Sequence, residues 1–560
     1  MPHKQYFYDK NVYFAHGRQL IAGQLQAEIE SDSLINNALI RVYDDAGNNQ
    51  LEIVFEGELD AAEIERLEAI VAAHSPDDHP DYFDAVVDKH GRGTHSSIAD
   101  AFNSGATSVY VRDGIYIETQ DIMLPDGGQL IGESQGNVKI VLVTGNSIKI
   151  DGSKGVKQEQ GTICVANNSM TVTGSSTVFT KLQAGNFILL GTNFFEIRSI
   201  ESDTSLTLLA PYRGRALKNE PYLAQAMYTG IKVGNLVVAN SSATGLYCRG
   251  IRHCSLKGIA VLYCAQNIAL HDSGDLSLYE FICGFSNGIG VILDNAYSVL
   301  ADTLDVYNSA SHGIELRHHS RSNVFDACSS SNNNGSGIYV SGESSDLNIT
   351  DSVMKHNNCM GMFTAAGSNN IIVCGCTVIH NGDVGVQFNG HSSLLSHNIS
   401  NHNGCHGLVS GCDCVLASNQ ISYNAGHGVL CSTGIDSCII SNNRVTNNTL
   451  NGINADSDGN VVSNNIVRKN SGAGILLTGK NNTVGNNNVS ENGSGGIRVQ
   501  STCCDTLFSA NQVYGNSKVG AQIYAGARDT LLTNNIIKGN SGANLIDEGA
   551  NTLAQANKVV

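Results

Sequence analysis

The chain has 560 residues, room for several domains, and its net charge of −18 argues against a nucleic-acid partner and favours a soluble, self-repelling molecule. Glycine is abundant, with 60 residues, proline and methionine are few, and tryptophan is absent. The start, Met1-Pro2-His3-Lys4-Gln5, carries no apolar signal segment, and no stretch is long enough to span a bilayer. The expectation is a product released without Sec-type export.

Residues 1–57 contain alternating runs, Ala38-Leu39-Ile40-Arg41-Val42-Tyr43 and Leu51-Glu52-Ile53-Val54-Phe55, that predict a small β-rich unit. Asp60 stands three residues before Glu63, a capping-box spacing, and opens a helix whose Ile64, Leu67, Ile70 and Val71 share one face. The Pro- and Asp-rich residues 75–83 read as a linker, which makes 1–80 a separate α+β head. Over 84–160, Ser96–Phe102 predicts a short helix, and Ser108-Val109-Tyr110-Val111, Gly114-Ile115-Tyr116-Ile117 and Gly128–Glu133 predict strands. Residues 161–215, with Met170–Gly174 and Ser202–Leu208 closed by Pro211-Tyr212-Arg213-Gly214, read as a small β module inserted into the surrounding pattern.

Within residues 216–560, from about 245 onward, one pattern returns about every 21–25 residues: a small residue or His, a Gly, a short alternating run, then an Asn/Ser-rich corner. Gly313–Arg317, Gly337–Ser341 and Gly496–Gln500 are three of the runs, and Ser441-Asn442-Asn443 and Ser463-Asn464-Asn465 are two of the corners. Such units bury their apolar face only by stacking coil on coil, in parallel register at about 4.8 Å per coil. Leucine fills no fixed position and no repeat reads as a helix, which disfavours a leucine-rich repeat. The predicted fold is all-β: a right-handed parallel β-helix solenoid with an N-terminal head and an inserted module. The sixteen Cys mostly fall in strand runs and read as buried free thiols, with Cys374/Cys376 and Cys412/Cys414 pointing to one face by their spacing.

The helix at Ser96–Phe102 followed by Val109-Tyr110-Val111-Arg112-Asp113-Gly114-Ile115-Tyr116 resembles the first coils of pectate-lyase-like β-helix proteins, including phage tailspikes and tail-fibre depolymerases. In those proteins a helix plugs the open N-terminal end of the solenoid. The module at 161–215 is similar to modules of phage tail and fibre proteins. The resemblance implies a virion setting, assembly in the host cytoplasm where thiols stay reduced, a homotrimer, and polysaccharide bound in a groove on one sheet. It covers most of 84–560, but no C-terminal trimer-forming domain is visible. The Asp-Pro-His-Glu segment of alginate epimerases is absent.

Alternation assigns the outward column of that sheet to His271, Ile292, Glu315/Arg317, Tyr339, Gln387/Asn389, Asn454/Asp456 and Arg498/Gln500. The richest patch is Glu315-Leu316-Arg317-His318-His319, with Tyr339 one coil on and His271-Asp272 two coils back. Glu315, Arg317, His318 and Tyr339 together suit proton abstraction beside a uronate, with Arg binding its carboxylate; the same residues also read as a solvated face. His271, Asp272, Gln387, Asn389, Asp456 and Arg498 are the candidate glycan contacts. Asp302, Asp326 and Asp351 fall in successive coils, where three stacked carboxylates suggest Ca²⁺, or else corner caps facing water. No other cofactor is required. His406 and His427 read as a stacked structural ladder. Three functions remain in competition: a virion structural or attachment protein, contacting other virion proteins through 1–80 and displaying a glycan-binding rod; a polysaccharide lyase, hydrolase or epimerase acting on an acidic glycan; and a glycan-binding module without turnover.

Overall fold

The structure, a computed structural model, describes residues 4–9, 25, 29, 35, 39–45, 50–73 and 83–560, the last range without 144, 153–156, 192, 226, 433 and 435. In the head, Gln50–Phe55 lies between Lys4–Asp9 and Leu39–Asp45, antiparallel to both. The helix Ala61–Ala73 starts on the predicted capping box: Asp60 Oδ1 accepts from Glu63 N at 2.8 Å, and Glu63 Oε2 accepts from Asp60 N at 2.9 Å. Its Leu67, Ile70 and Val71 pack on Leu51, Ile53 and Phe55. The linker read over 75–83 lies outside the described residues except Phe83, whose ring packs 5.5 Å from that of Tyr110.

The solenoid begins with the helix Ile98–Asn103, which buries Ile98, Ala99, Ala101 and Phe102 over the first coil. Glu118, buried in a first-coil strand, ties the helix down by accepting from Ser97 Oγ at 2.9 Å and Ile98 N at 2.7 Å. Helix and coil thus cap the apolar interior that an open first turn would expose. The inserted module consists of antiparallel strands between Lys157–Gln158 and Leu223–Gln225, with its own core of Val172, Ile188, Ile197, Leu206 and Leu208. Coils on either side of it are direct neighbours, because Ile148–Asp151 pairs in parallel with Thr244–Arg249.

Each later coil gives one strand to a 16-stranded parallel sheet and two to a larger one. The inward residue stacks coil after coil, as in Ile314, Ile338, Met362 and Val386, all essentially buried. The recurrent glycine has a steric cause: a Cβ on Gly385 would lie 2.4 Å from Ser400 Oγ and 2.5 Å from the Gly407 carbonyl of the next coil. Two columns of asparagine line the interior corners. From Asn398 to Asn557, and again from Asn333 to Asn540, each amide donates to the Oδ1 of the next Asn at about 3 Å. Of the paired corner asparagines, Asn442 takes the left-handed conformation (φ 58°) and faces solvent, while Asn443 is buried in the ladder.

The cysteines are all free, and most are buried. Cys374 and Cys376 nevertheless do not share a face. Gly375 between them is left-handed (φ 69°), so Cys376 turns inward and is fully buried while Cys374 is only partly covered; Cys412 and Cys414 divide in the same way around left-handed Asp413.

Candidate functional site

The register of the 16-stranded sheet sorts its outward residues into two columns. One runs Tyr247, Ala269, Ile292, Glu315, Tyr339, Phe363, Gln387. The other runs Arg249, His271, Asp294, Arg317. This corrects the single column expected from alternation, in which His271 aligned with Ile292. The strand Gln266–His271 has six residues and passes two positions beyond its outward Ala269, so counting from the repeat glycine misplaces it. His271 therefore pairs with Asp294, a residue the sequence reading passed over.

Asp294 is the hub of the patch. Arg317 Nε lies 3.0 Å from its Oδ2, His318 Nδ1 2.6 Å from Oδ1 and His271 Nδ1 3.3 Å from Oδ2. Burial works to raise its pKa, but the hydrogen bonds to His271 and His318 and the Arg317 charge outweigh it and hold the carboxyl well below the ordinary range. A coil earlier, Asp272 accepts from Arg249 Nε at 3.2 Å and Asn295 Nδ2 at 2.9 Å. His319 turns aside, 3.6 Å from Glu343. Arg317 and His318, expected to meet a ligand directly, are thus already engaged with Asp294.

Glu315 differs. Its carboxylate is half-buried and makes no hydrogen bond or ion pair among the described residues. Burial pushes its pKa up, opposed by the Arg317 charge and assisted by that of Asp294. Tyr339, its register partner one coil on, is stacked between two rings: His312 at 4.3 Å and Phe363 at 5.1 Å between centroids. His312 was not singled out in the sequence. Burial lowers its pKa, and its neutral Nδ1 accepts from Ser336 N at 3.0 Å. Glu315 and this row of rings form one surface, able to accept hydroxyl donors and to pack apolar ligand surface against the edges of the stacked rings.

The remaining predicted contacts share the sheet but not the site. Gln387 donates to Asn389 at 3.0 Å, three coils from Glu315, or about 14 Å. Asp456, farther along, accepts from Asn454 at 2.8 Å and Thr478 at 2.9 Å. Arg498 reaches back to the Ser494 carbonyl, about 38 Å from Glu315 at the coil spacing. The Asp column is also out of register: Asp302 pairs with Asp326, but Asp326 pairs with Thr350, which donates to it. Asp351 falls one residue on, at a left-handed corner (φ 47°). Among the described residues no group of three or more His, Cys, Asp or Glu is arranged to hold a metal ion. His406 and His427 do stack, 5.0 Å apart, and each Nδ1 accepts a backbone N–H from the next coil (His427 and Asn451). A second ladder that was not foreseen, His356–His380–His402–Tyr423, stacks on an exposed corner.

The geometry is that of a parallel β-helix carrying a polar and aromatic patch on one sheet. Residues 225–378, 287–435 and 410–559 match the family described as right handed beta helix region, and the chain belongs to that family. No curated protein matches the chain. Among solved structures, the tailspike gp61 of Pseudomonas phage phi297 is similar at 10% identity, over 78% of this chain and 72% of that one, with a TM-score of 0.41. The tailspike gp49 of Pseudomonas phage LKA1 is similar at 13% identity, over 78% and 73%, with a TM-score of 0.40. The A-module of the mannuronan C-5 epimerase AlgE6 of Azotobacter vinelandii is similar at 14% identity, over 82% and 93%, with a TM-score of 0.33. At this level of likeness nothing about substrate or role passes to this chain. No helix among the described residues is long and apolar enough to cross a membrane.

Proposed function

We propose that this chain is a virion attachment or capsid-associated protein whose rod binds a surface polysaccharide on its 16-stranded sheet, centred on Glu315, Tyr339 and Phe363. The observation that carries the binding reading is Glu315: a half-buried carboxylate without a hydrogen-bond or ion-pair partner among the described residues, next to a row of stacked rings. A sugar supplies hydroxyl donors for the carboxylate and apolar C–H surface to cover the exposed edges of the rings. The virion setting rests on the sequence resemblance at Ser96–Tyr116 and in the inserted module, with the head as the contact to other virion proteins. A second reading, turnover by a lyase, hydrolase or epimerase, rests on the raised pKa of the same Glu315, which favours a proton donor.

The test is a panel of acidic and neutral polysaccharides, with and without Ca²⁺, followed for binding, chain length and unsaturated-uronate absorbance. Saturable binding that Glu315→Gln and Tyr339→Ala each weaken at least about tenfold supports the site. Shortened chains or new absorbance, abolished by Glu315→Gln, moves the conclusion to the enzyme. No binding across the panel, or binding unchanged in both variants, overturns the site.

A further inference from the structure

The larger sheet carries a surface that the glycan reading does not use. In each coil from Asn348 to Leu553 the first strand of that sheet has three residues, the outer two facing out and the middle one buried in all but the last, Leu553–Gln555, which is exposed throughout. The first outward position is Ile, Leu or Val in eight of ten successive coils, Asn348 and Thr483 being the exceptions. Ile372 and Ile439 are each 41% exposed and Leu553 52%. The second outward position is small or neutral throughout, from Thr350 through Ser441 and Ser463 to Gln555. None of these twenty positions is charged, although 15% of the chain is Asp, Glu, Lys or Arg and about three would be expected at that frequency. The neighbouring strand of the same coils does carry charge, at Arg444, Arg468 and Lys538, so the neutral strip has a sharp edge.

We infer that this strip is a face along which two copies of the chain pack side by side. Its length favours a second copy as the occupant. Ten coils extend about 43 Å, and the aliphatic residues recur at the coil rise of about 4.8 Å along all of it. A partner that interdigitates with such a row needs the same rise over the same length, and another copy of the rod has it. Charge points the same way: two molecules of net charge −18 repel, and they approach most easily through a face with no charge. With a width of about 12–15 Å the strip covers about 500–650 Å² per copy, close to the lower bound for a stable association. Solitary exposed aliphatic side chains are ordinary on protein surfaces, but a continuous row of this size is not.

The test is light scattering coupled to size exclusion on the full chain at micromolar concentration, read beside far-UV circular dichroism and thermal unfolding. The wild type is expected at a whole multiple of 59.2 kDa of at least two, and the double variant Ile439→Lys/Leu507→Lys at 59.2 kDa with unchanged dichroism. Should the double variant fail to fold, Ser441→Lys/Ser463→Lys places the charges on the small-residue column of the same strip. A wild type that runs at 59.2 kDa at every concentration overturns the inference, as does a multimer that persists in a folded charged variant. Glycan binding does not enter this readout, so its outcome is independent of the proposed function.

Discussion

The coils between Thr244 and Tyr307 and those between Asn398 and Asn557 form the same sheets by different means. In the first group the strands of the larger sheet are long and unbroken, as in Ile251–Leu262, Gly274–Gly284 and Tyr297–Tyr307. Particular side chains join these coils: Arg249 with Asp272, Arg252 with Asp275, and Asp294 with His271 and Arg317. The inserted module packs on the same coils, with Arg252 reaching its Glu196 and Phe187, and Arg321 lying over Phe195 and Tyr297. In the second group a single unit recurs, with three residues in each strand of the larger sheet and a buried Asn at each interior corner. A repeated amide ladder satisfies the interior corners of every coil in the same way. The individual pairs of the early coils are where the rod acquires a specialised surface, and Glu315 stands at the edge of that region.

The sharpest way to separate the two mechanisms is to break one ladder rung. Asn443 Nδ2 donates to Leu416 O at 2.7 Å and Asn465 Oδ1 at 3.1 Å, and its Oδ1 accepts from the backbone and side-chain nitrogens of Asn419. Asn443→Leu strands several buried polar groups and is expected to cost about 3–5 kcal/mol in denaturant unfolding. Asn442→Gly, one residue away at a solvent-facing left-handed corner, is expected to change stability by less than about 0.5 kcal/mol. Similar losses at both positions would show that the ladder is not what holds these coils.

In the early coils the matching change is Arg252→Ala. The guanidinium is 11% exposed and close to Glu196 and Asp275, so its loss leaves two partly buried carboxylates unpaired, a cost of about 2–4 kcal/mol in thermal unfolding. The drop is expected to shrink in Glu196→Gln, because the two residues form one pair. An unaltered unfolding curve for Arg252→Ala would mean that module and rod are held by their apolar contacts alone.

The stacked histidines give a smaller effect with a defined pH window. Burial first, then the neighbouring His406, lowers the His427 pKa from 6.5 to about 4. The unfolded chain binds the proton more readily, so this term is fully present above about 6.5 and is lost as pH falls from there towards 4. With solvent screening the loss is about 1–2 kcal/mol, and His427→Gln is expected to flatten that part of the stability profile. A profile that keeps its slope in the variant would place the titration elsewhere.

Glu315 gives the smallest change and the most diagnostic sign. Its raised pKa means that the folded state favours the proton, so stability falls as pH rises past the unfolded carboxyl value. Glu315→Gln is expected to stabilise the protein at neutral pH by a few tenths of a kcal/mol while weakening glycan binding. Destabilisation would indicate a structural role instead.

What the sequence revealed follows from which constraints repeat. Gly385 and its equivalents are forced by backbone approach between coils, and Asn443 and its equivalents by buried amide bonding, so both recur and the solenoid could be read from them. The register of the patch could not, because Ala269 and Ile292 put apolar residues at outward positions, and alternation alone then does not locate His271 against Asp294. Left-handed residues caused the other errors. Asp351 and Gly375 each turn the chain between two flanking residues, which breaks the assumed acidic column and places Cys374 and Cys376 on opposite sides. Glu315 and Tyr339 are legible because their coils keep the simple alternation, whereas His312 fills the small-or-His position before the repeat Gly313, where the pattern alone does not show its stacking on Tyr339.

The most direct test of the glycan-binding account is a crystal structure of the full chain soaked with an oligosaccharide that the binding panel selects. The account predicts a sugar ring against Tyr339 and Phe363 with a hydroxyl donating to Glu315, leaving Asp294 bonded to Arg317. An oligosaccharide bound elsewhere, for example along Asn454–Arg498, with the Glu315 surface empty, would contradict it.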